Sequence, residues 1–174
     1  SSGLDLTIDP VTGKRNVGAR RLMLRGRREM RTNLTDNSDL KQMYMAAVAR
    51  KERLPITFSI GTSPVDLFTS GLKIPTDEFA LLGTIRGAPM PMVKCVSNGL
   101  MAPADAELII EGYLDEQGYR EMDGPYGEFW GYYGGMHIDP VIHVTAITMR
   151  QEFTSIPGNA GNPLRRMAQF CIRS

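Results

Sequence analysis

The chain has 174 residues, with 20 Lys+Arg against 19 Asp+Glu, so its formal net charge is +1 with both histidines neutral. At 42% apolar and 22% charged residues it is neither a disordered polymer nor a general polyanion binder, which would need low hydrophobicity or a strong basic surplus. One domain, or one and a half, is the length expectation, and roughly 70% of the unfolded surface can be buried at this size, so the core needs no covalent help. Cys95 and Cys171 lie far apart without zinc spacing, and nothing resembles a signal peptide. Both features point to a reducing, cytoplasmic compartment. No apolar run approaches the roughly 20 residues of a membrane helix. A start at Ser1-Ser2-Gly3 without methionine and an end at Arg173-Ser174 point to a fragment of a longer protein.

Residues 1–32 read as two or three strands, with Asp9-Pro10 and Gly13 as turn chemistry. On one continuous strand Arg21, Met23, Arg25, Arg27 and Arg31 would share a face and Leu22, Leu24 and Met30 the other, giving a cationic ribbon over an apolar side. From Ser38 the period changes, with Leu40, Met43, Tyr44, Ala47 and Val48 on one helical face and Ser38 placed as cap. Ile56, Phe58 and Ile60 alternate as a strand; Ser63-Pro64 and Thr76-Asp77-Glu78 each open a further helix. The second half is mostly β, with strands over 92–96, around Leu108 to Leu114 as a half-buried one, and over 141–149. Between them the glycine- and aromatic-rich stretch 123–135 is too long for a tight turn, and such loops are usually functional.

Phosphate-loop, dinucleotide, zinc-protease and nucleophile-elbow motifs are all missing. His143 on a strand reads as structural, and Cys95 as an apolar filler. The arginines of 20–31 must face water or an anion, because like charges along one strand face repel. A solvated face with Glu29 as partner and a phosphate or carboxylate site both satisfy that demand; a nucleic-acid face lacks interleaved aromatics and a basic surplus. The second signal is Asp123-Gly124-Pro125-Tyr126-Gly127-Glu128, followed by Phe129, Trp130, Tyr132 and Tyr133. Two carboxylates five residues apart can fold toward one another, and an aromatic flank can desolvate one into a general acid while an arginine keeps the other ionised. A turn with solvated acids is the plainer alternative.

Several segments together carry a resemblance. Asn16-Val17-Gly18-Ala19-Arg20-Arg21, Pro75-Thr76-Asp77-Glu78-Phe79, Leu82-Gly83-Thr84-Ile85-Arg86-Gly87, Val93-Lys94-Cys95, Pro103-Ala104-Asp105-Ala106-Glu107, Glu111-Gly112-Tyr113, Gly124-Pro125-Tyr126-Gly127-Glu128 and Gly131-Tyr132-Tyr133 closely resemble the UbiD family of decarboxylases, in order and spacing from about Ser2 to Arg150. The resemblance implies a mainly β fold with peripheral helices (α+β), a split β-barrel of the FMN-binding type, over residues 1–150, with 151–174 unassigned. It implies prenylated FMN as cofactor and reversible, non-oxidative decarboxylation of an aromatic or α,β-unsaturated carboxylic acid. Arg21 corresponds to the arginine facing substrate and cofactor, Glu128 to the proton donor and Asp123 to the second acid of a catalytic set. Ala19, Arg20 and Arg21, with Asn33 and Ser38, correspond to cofactor-binding positions. Asn16 and Glu78 correspond to ligands of a divalent metal, Mn²⁺ or Mg²⁺, which with a monovalent ion such as K⁺ clamps the cofactor phosphate.

The chain departs from the family at Asn33-Leu34-Thr35-Asp36-Asn37-Ser38-Asp39, which has no histidine to complete the metal site. Asp36, Asn37 and Asp39 are hard oxygen donors that can substitute there. Family chains are also longer, so partners are expected to be a small acid and CO₂, with homo-oligomerisation through segments absent here and no nucleic acid or membrane. A non-catalytic module holding FMN or phosphate, inactive without those segments, is the alternative function; an ordinary flavin reductase gives no reason for the Asp123 and Glu128 pair.

Overall fold

The computed structural model describes residues 2–72, 77–127 and 130–150. Its chain order is β1 (Ser2–Ile8), β2 (Arg15–Arg21), β3 (Met23–Leu24), β4 (Glu29–Arg31), α1 (Asp39–Ala49), β5 (Leu54–Ile60), α2 (Pro64–Thr69), α3 (Glu78–Arg86), β6 (Met92–Lys94), β7 (Met101–Pro103), β8 (Leu108–Leu114), β9 (Glu121–Asp123), β10 (His137–Asp139) and β11 (Val141–Met149). Seven strands form one curled, half-barrel antiparallel sheet in the order β2-β1-β5-β8-β11-β4-β3, the split-barrel-like architecture expected from the sequence. Two short hairpins, β9 with β10 and β6 with β7, attach to it.

Local chemistry explains most boundaries. The Asp9 carboxylate accepts hydrogen bonds from the Val11 amide and the Thr12 hydroxyl, turning the chain from β1 into β2. Ser38 caps α1 by accepting from the Lys41 amide, Asp77 caps α3 by accepting from the Ala80 amide, and Pro64 opens α2 at a position that needs no amide hydrogen. The main core packs Leu40, Met43, Tyr44 and Ala47 of α1 against Ile56, Phe58, Ile110, Leu114 and Ile142 of the sheet. A second face is covered too: Cys95, Leu100 and Ala102 pack with Leu6 and Ile109. That cover buries both sides of β8, which the sequence pattern makes half-buried.

The expected cationic ribbon does not form as one strand. The backbone amide of Arg25 donates to the Glu29 carbonyl, so β3 and β4 double back as a hairpin and send the arginines to different partners. Arg20 pairs with Asp5, Arg21 with Asp123, and Arg25 with Glu29 and Glu121. Among the described residues no helix is long and apolar enough to cross a membrane.

Candidate functional site

β2 borders two sites, a cavity along Arg15 to Arg20 and an acid cluster at its last residue, Arg21. One is a cavity of about 1310 Å³ whose lining includes Asn16, Ala19, Arg20, Ser38, Asp39 and Glu78. Gly18 permits this shape: a Cβ there would sit 2.8 Å from Asp5 Oδ1. The Arg20 guanidinium is largely buried, with Nε 3.2 Å from the buried Asp5 carboxylate. Burial outweighs that arginine and raises the Asp5 pKa.

Two cavity residues bear on a bound ion. Asn16 is 4% exposed and its Nδ2 is buried without a hydrogen bond. Burial raises the Glu78 carboxyl, against its own backbone hydrogen bond and the nearby Lys14 charge. A carboxylate whose anionic form is under-compensated suits a hard cation, so Glu78 fits the divalent ion that the resemblance implies, whereas Asn16 would serve it only through its amide oxygen, its unbonded Nδ2 being a hydrogen-bond donor. Asp39 differs, since Lys14 Nζ lies 2.6 Å from its Oδ2 and already supplies a positive charge. Among the described residues no group of at least three His, Cys, Asp or Glu gathers as a metal site.

The second site is a buried acid cluster. The Arg21 Nη2 lies 3.0 Å from Asp123 Oδ2, and the guanidinium carbon stands 4.0 Å above the Tyr126 ring centre. Tyr126 also donates its hydroxyl to Asp123 Oδ1 at 2.7 Å. Gly124, at φ 93°, makes the left-handed turn that brings Tyr126 back over Asp123. Opposite β9, strand β10 carries Asp139, whose Oδ1 accepts from Asn33 Nδ2 at 3.1 Å. Asp123 and Asp139 are each 1% exposed. Burial alone would raise Asp123, but hydrogen bonds from Tyr126 and Asp139 and the Arg21 charge hold it below its usual range. Asp139 moves the other way: burial and then Asp123 push it up to about 6, against the Asn33 amide. Burial and the Asp123 contact together push Tyr126 up to about 12.

Arg21, Asp123 and Asn33 therefore meet in the acid cluster, while Asn16, Ala19, Arg20, Ser38 and Glu78 line the cavity. Ser38 spends its hydroxyl locally, donating to the Thr35 carbonyl while capping α1. Glu128 and Phe129 lie outside the described residues, as does the unassigned segment 151–174. Trp130, Tyr132 and Tyr133 are 70%, 66% and 75% exposed, so in this chain they neither pack in a core nor wall the cavity. His143 is structural, as its position on a strand implies: it bonds Asp115 through Nε2 at 3.0 Å and stacks on Tyr113. Cys95 is buried against Thr57.

Sequence reasoning missed Asp139 and Lys14. Strands of three residues show no alternation, which hid β10. The signal available was a single acid between Ile138 and Pro140 on the way into an apolar strand.

Comparison with known proteins places this geometry. An evolved dimeric form of the UbiD-class enzyme HmfF from Pelotomaculum thermopropionicum, in complex with prenylated FMN, is 32% identical with a TM-score of 0.78, over 86% of this chain and 35% of that one. Klebsiella pneumoniae 3,4-dihydroxybenzoic acid decarboxylase is 32% identical with a TM-score of 0.74, over 85% of this chain and 33% of that one. Sedimentibacter hydroxybenzoicus vanillic acid decarboxylase in its closed form is 28% identical with a TM-score of 0.79, over 86% and 33%. This chain thus spans about a third of the length of these enzymes. Flavoredoxin of Desulfovibrio vulgaris (Miyazaki F), 14% identical with a TM-score of 0.59 over 86% of this chain and 69% of that one, shares the fold. The family model described as UbiD, the 3-octaprenyl-4-hydroxybenzoate carboxy-lyase Rift-related domain, matches residues 1–161, and the chain belongs to the UbiD family.

Proposed function

We propose that this chain is the cofactor-binding domain of a decarboxylase that acts reversibly on an aromatic or α,β-unsaturated carboxylic acid with prenylated FMN. The observation that carries the reading is the half-exposed Arg21 guanidinium, held between Tyr126 and the buried Asp123 beside a cavity large enough for a flavin. When bound, prenylated FMN supplies the electron sink for loss of CO₂. Arg21 binds the substrate carboxylate through the guanidinium nitrogens not committed to Asp123, since a planar fork suits that group. Tyr126 and Asp123 fix the angle of that fork, and Glu128 returns a proton to the carbon that has lost CO₂. Ala19, Arg20 and Ser38 line the cofactor cavity, and Asn33 serves the cofactor from the acid cluster, where it bonds Asp139. Asn16 and Glu78 hold Mn²⁺ or Mg²⁺ at the cofactor phosphate, with K⁺ as the monovalent companion. We place the domain at residues 1–150 and the enzyme in the cytoplasm, assembling with further copies through segments beyond this chain.

The test is CO₂ exchange into an aromatic acid by the complete protein expressed with a source of prenylated FMN. Glu128→Gln is expected to abolish exchange with the cofactor still bound; full exchange in that variant rejects the assignment. Bound plain FMN with no exchange in the unaltered protein would favour a non-catalytic flavin module.

A further inference from the structure

Asp123 and Asp139 come together through the register of one small hairpin. His137 stands opposite Asp123 and Asp139 opposite Glu121, so Asp139 is the diagonal neighbour of Asp123 on the same face. The two acids are almost fully buried, and among the described residues a single ion pair, from Arg21 to Asp123, serves them both. Arg21 is ion-paired to Asp123 and its charge also reaches Asp139, Arg31 of β4 acts on Tyr126, and Arg25 is drawn to Glu121 and Glu29. The other groups facing Asp139 are neutral at ordinary pH: the Asn33 amide, the Tyr126 phenol by way of Asp123, and the Tyr119 phenol. Two neighbouring buried carboxylates with one ion pair between them favour the state that holds one proton.

Hydrogen-bond accounting says where that proton sits. Asp123 has both oxygens engaged by donors, Oδ1 by Tyr126 and Oδ2 by Arg21. Asp139 Oδ1 is engaged by Asn33, but its Oδ2 is buried without a partner. An unpartnered buried carboxylate oxygen is costly, while a protonated one becomes a donor and finds its acceptor next door. We infer that Asp139 is a positioning residue: it holds one proton on Oδ2, shares it with Asp123, and so keeps the Asp123 carboxylate ionised and aimed at Arg21. This rests on the reading of Arg21 and Asp123 as working parts of the site. The proton also has an electrostatic use there. One proton on the pair removes a negative charge from beside Arg21 that would otherwise oppose a carboxylate substrate.

The test is a pH titration by NMR of the full chain carrying ¹³C-labelled aspartate carboxyls. Asp139 is expected to titrate near 6 with a mirrored shift at Asp123, which stays ionised below its usual range. Asp139→Asn, which keeps a permanent donor, should remove the upper step and leave Asp123 low. Asp139→Ala, which has none, should move Asp123 up. An Asp139 that titrates as an ordinary exposed carboxylate, or an Asp123 blind to both variants, overturns the inference. Should neither variant fold, Asn33→Ala must raise the upper step, because its amide favours ionised Asp139; an unmoved step overturns the inference equally. Shared titration without CO₂ exchange in the complete protein would reject the decarboxylase reading and leave the shared proton standing.

Discussion

Glu111 and Asp139 are each 1% exposed, yet they are built in opposite ways. On β8, Glu111 accepts from the Val96 and Ser97 amides and from the Ser97 hydroxyl, so both oxygens are used and the loop after β6 is tied to the sheet. On β10, Asp139 has one oxygen bonded and one bare. Burial alone therefore does not mark a reactive acid. What distinguishes the two regions is whether the surroundings complete the ionised form: around Glu111 they do, which makes it a fastener, and around Asp139 they complete the protonated form instead.

Several measurements can break or sharpen that contrast. The largest effect belongs to Arg21→Gln, which is expected to lower CO₂ exchange by the complete protein at least about 10²-fold, the usual cost of losing one preorganised charge-stabilising donor; unchanged exchange would detach the acid cluster from function. Next is Glu111→Ala, which strands buried donors and should cost about 3 kcal/mol in urea denaturation, while Asp139→Asn carries no such cost at neutral pH. Equal losses would erase the distinction. The third lies in pH dependence. Because folding raises Asp139 from 3.8 to about 6, the native state binds more protons over that interval and its stability falls as pH rises through it. Asp123, held low, works in the other direction: its contribution is present above its ordinary range and lost as pH falls through its native value. Stability of Asp139→Asn measured across pH 4 to 7 should lack the decline, leaving it roughly 1 kcal/mol or more ahead of the parent at neutral pH. The smallest effect is that of Arg53→Ala, which removes an exposed pair with Glu116 and should shift stability by no more than about 0.5 kcal/mol.

What was legible in the sequence follows from length and repetition. The helix α1 and the strands β5, β8 and β11 announce themselves because seven to eleven residues repeat a period against one core. Asn16, Arg21, Glu78 and Asp123 stand out through their order along the chain, which needs no knowledge of packing, and the structure brings Arg21 to Asp123 and sets Asn16 and Glu78 on one cavity. The turn of the β3–β4 hairpin was not legible, since Arg25, Arg27 and Arg31 fit a single alternating strand as well as a folded one. Nor was the second buried face of β8, whose cover comes from Cys95, Leu100 and Ala102, remote in sequence from the strand's own pattern. Asp139 escaped for a related reason: its partners Asn33 and Asp123 lie 106 and 16 positions away, and only the sheet brings them together.

β2 ends the order of the seven-stranded sheet, with β1 as its sole neighbour there. A sheet left unclosed beside a ligand cavity exposes unpaired main-chain groups that invite edge-to-edge association. Along this rim the chain places Lys14, Arg15, Arg20 and Arg21, and each is tied to an acid from a different element: Asp39 of α1, Asp77 at the cap of α3, Asp5 of β1 and Asp123 of β9. The charges deter a foreign strand, and the ties keep them from repelling one another. The sheet can thus stay open beside the cavity without becoming a seed for aggregation.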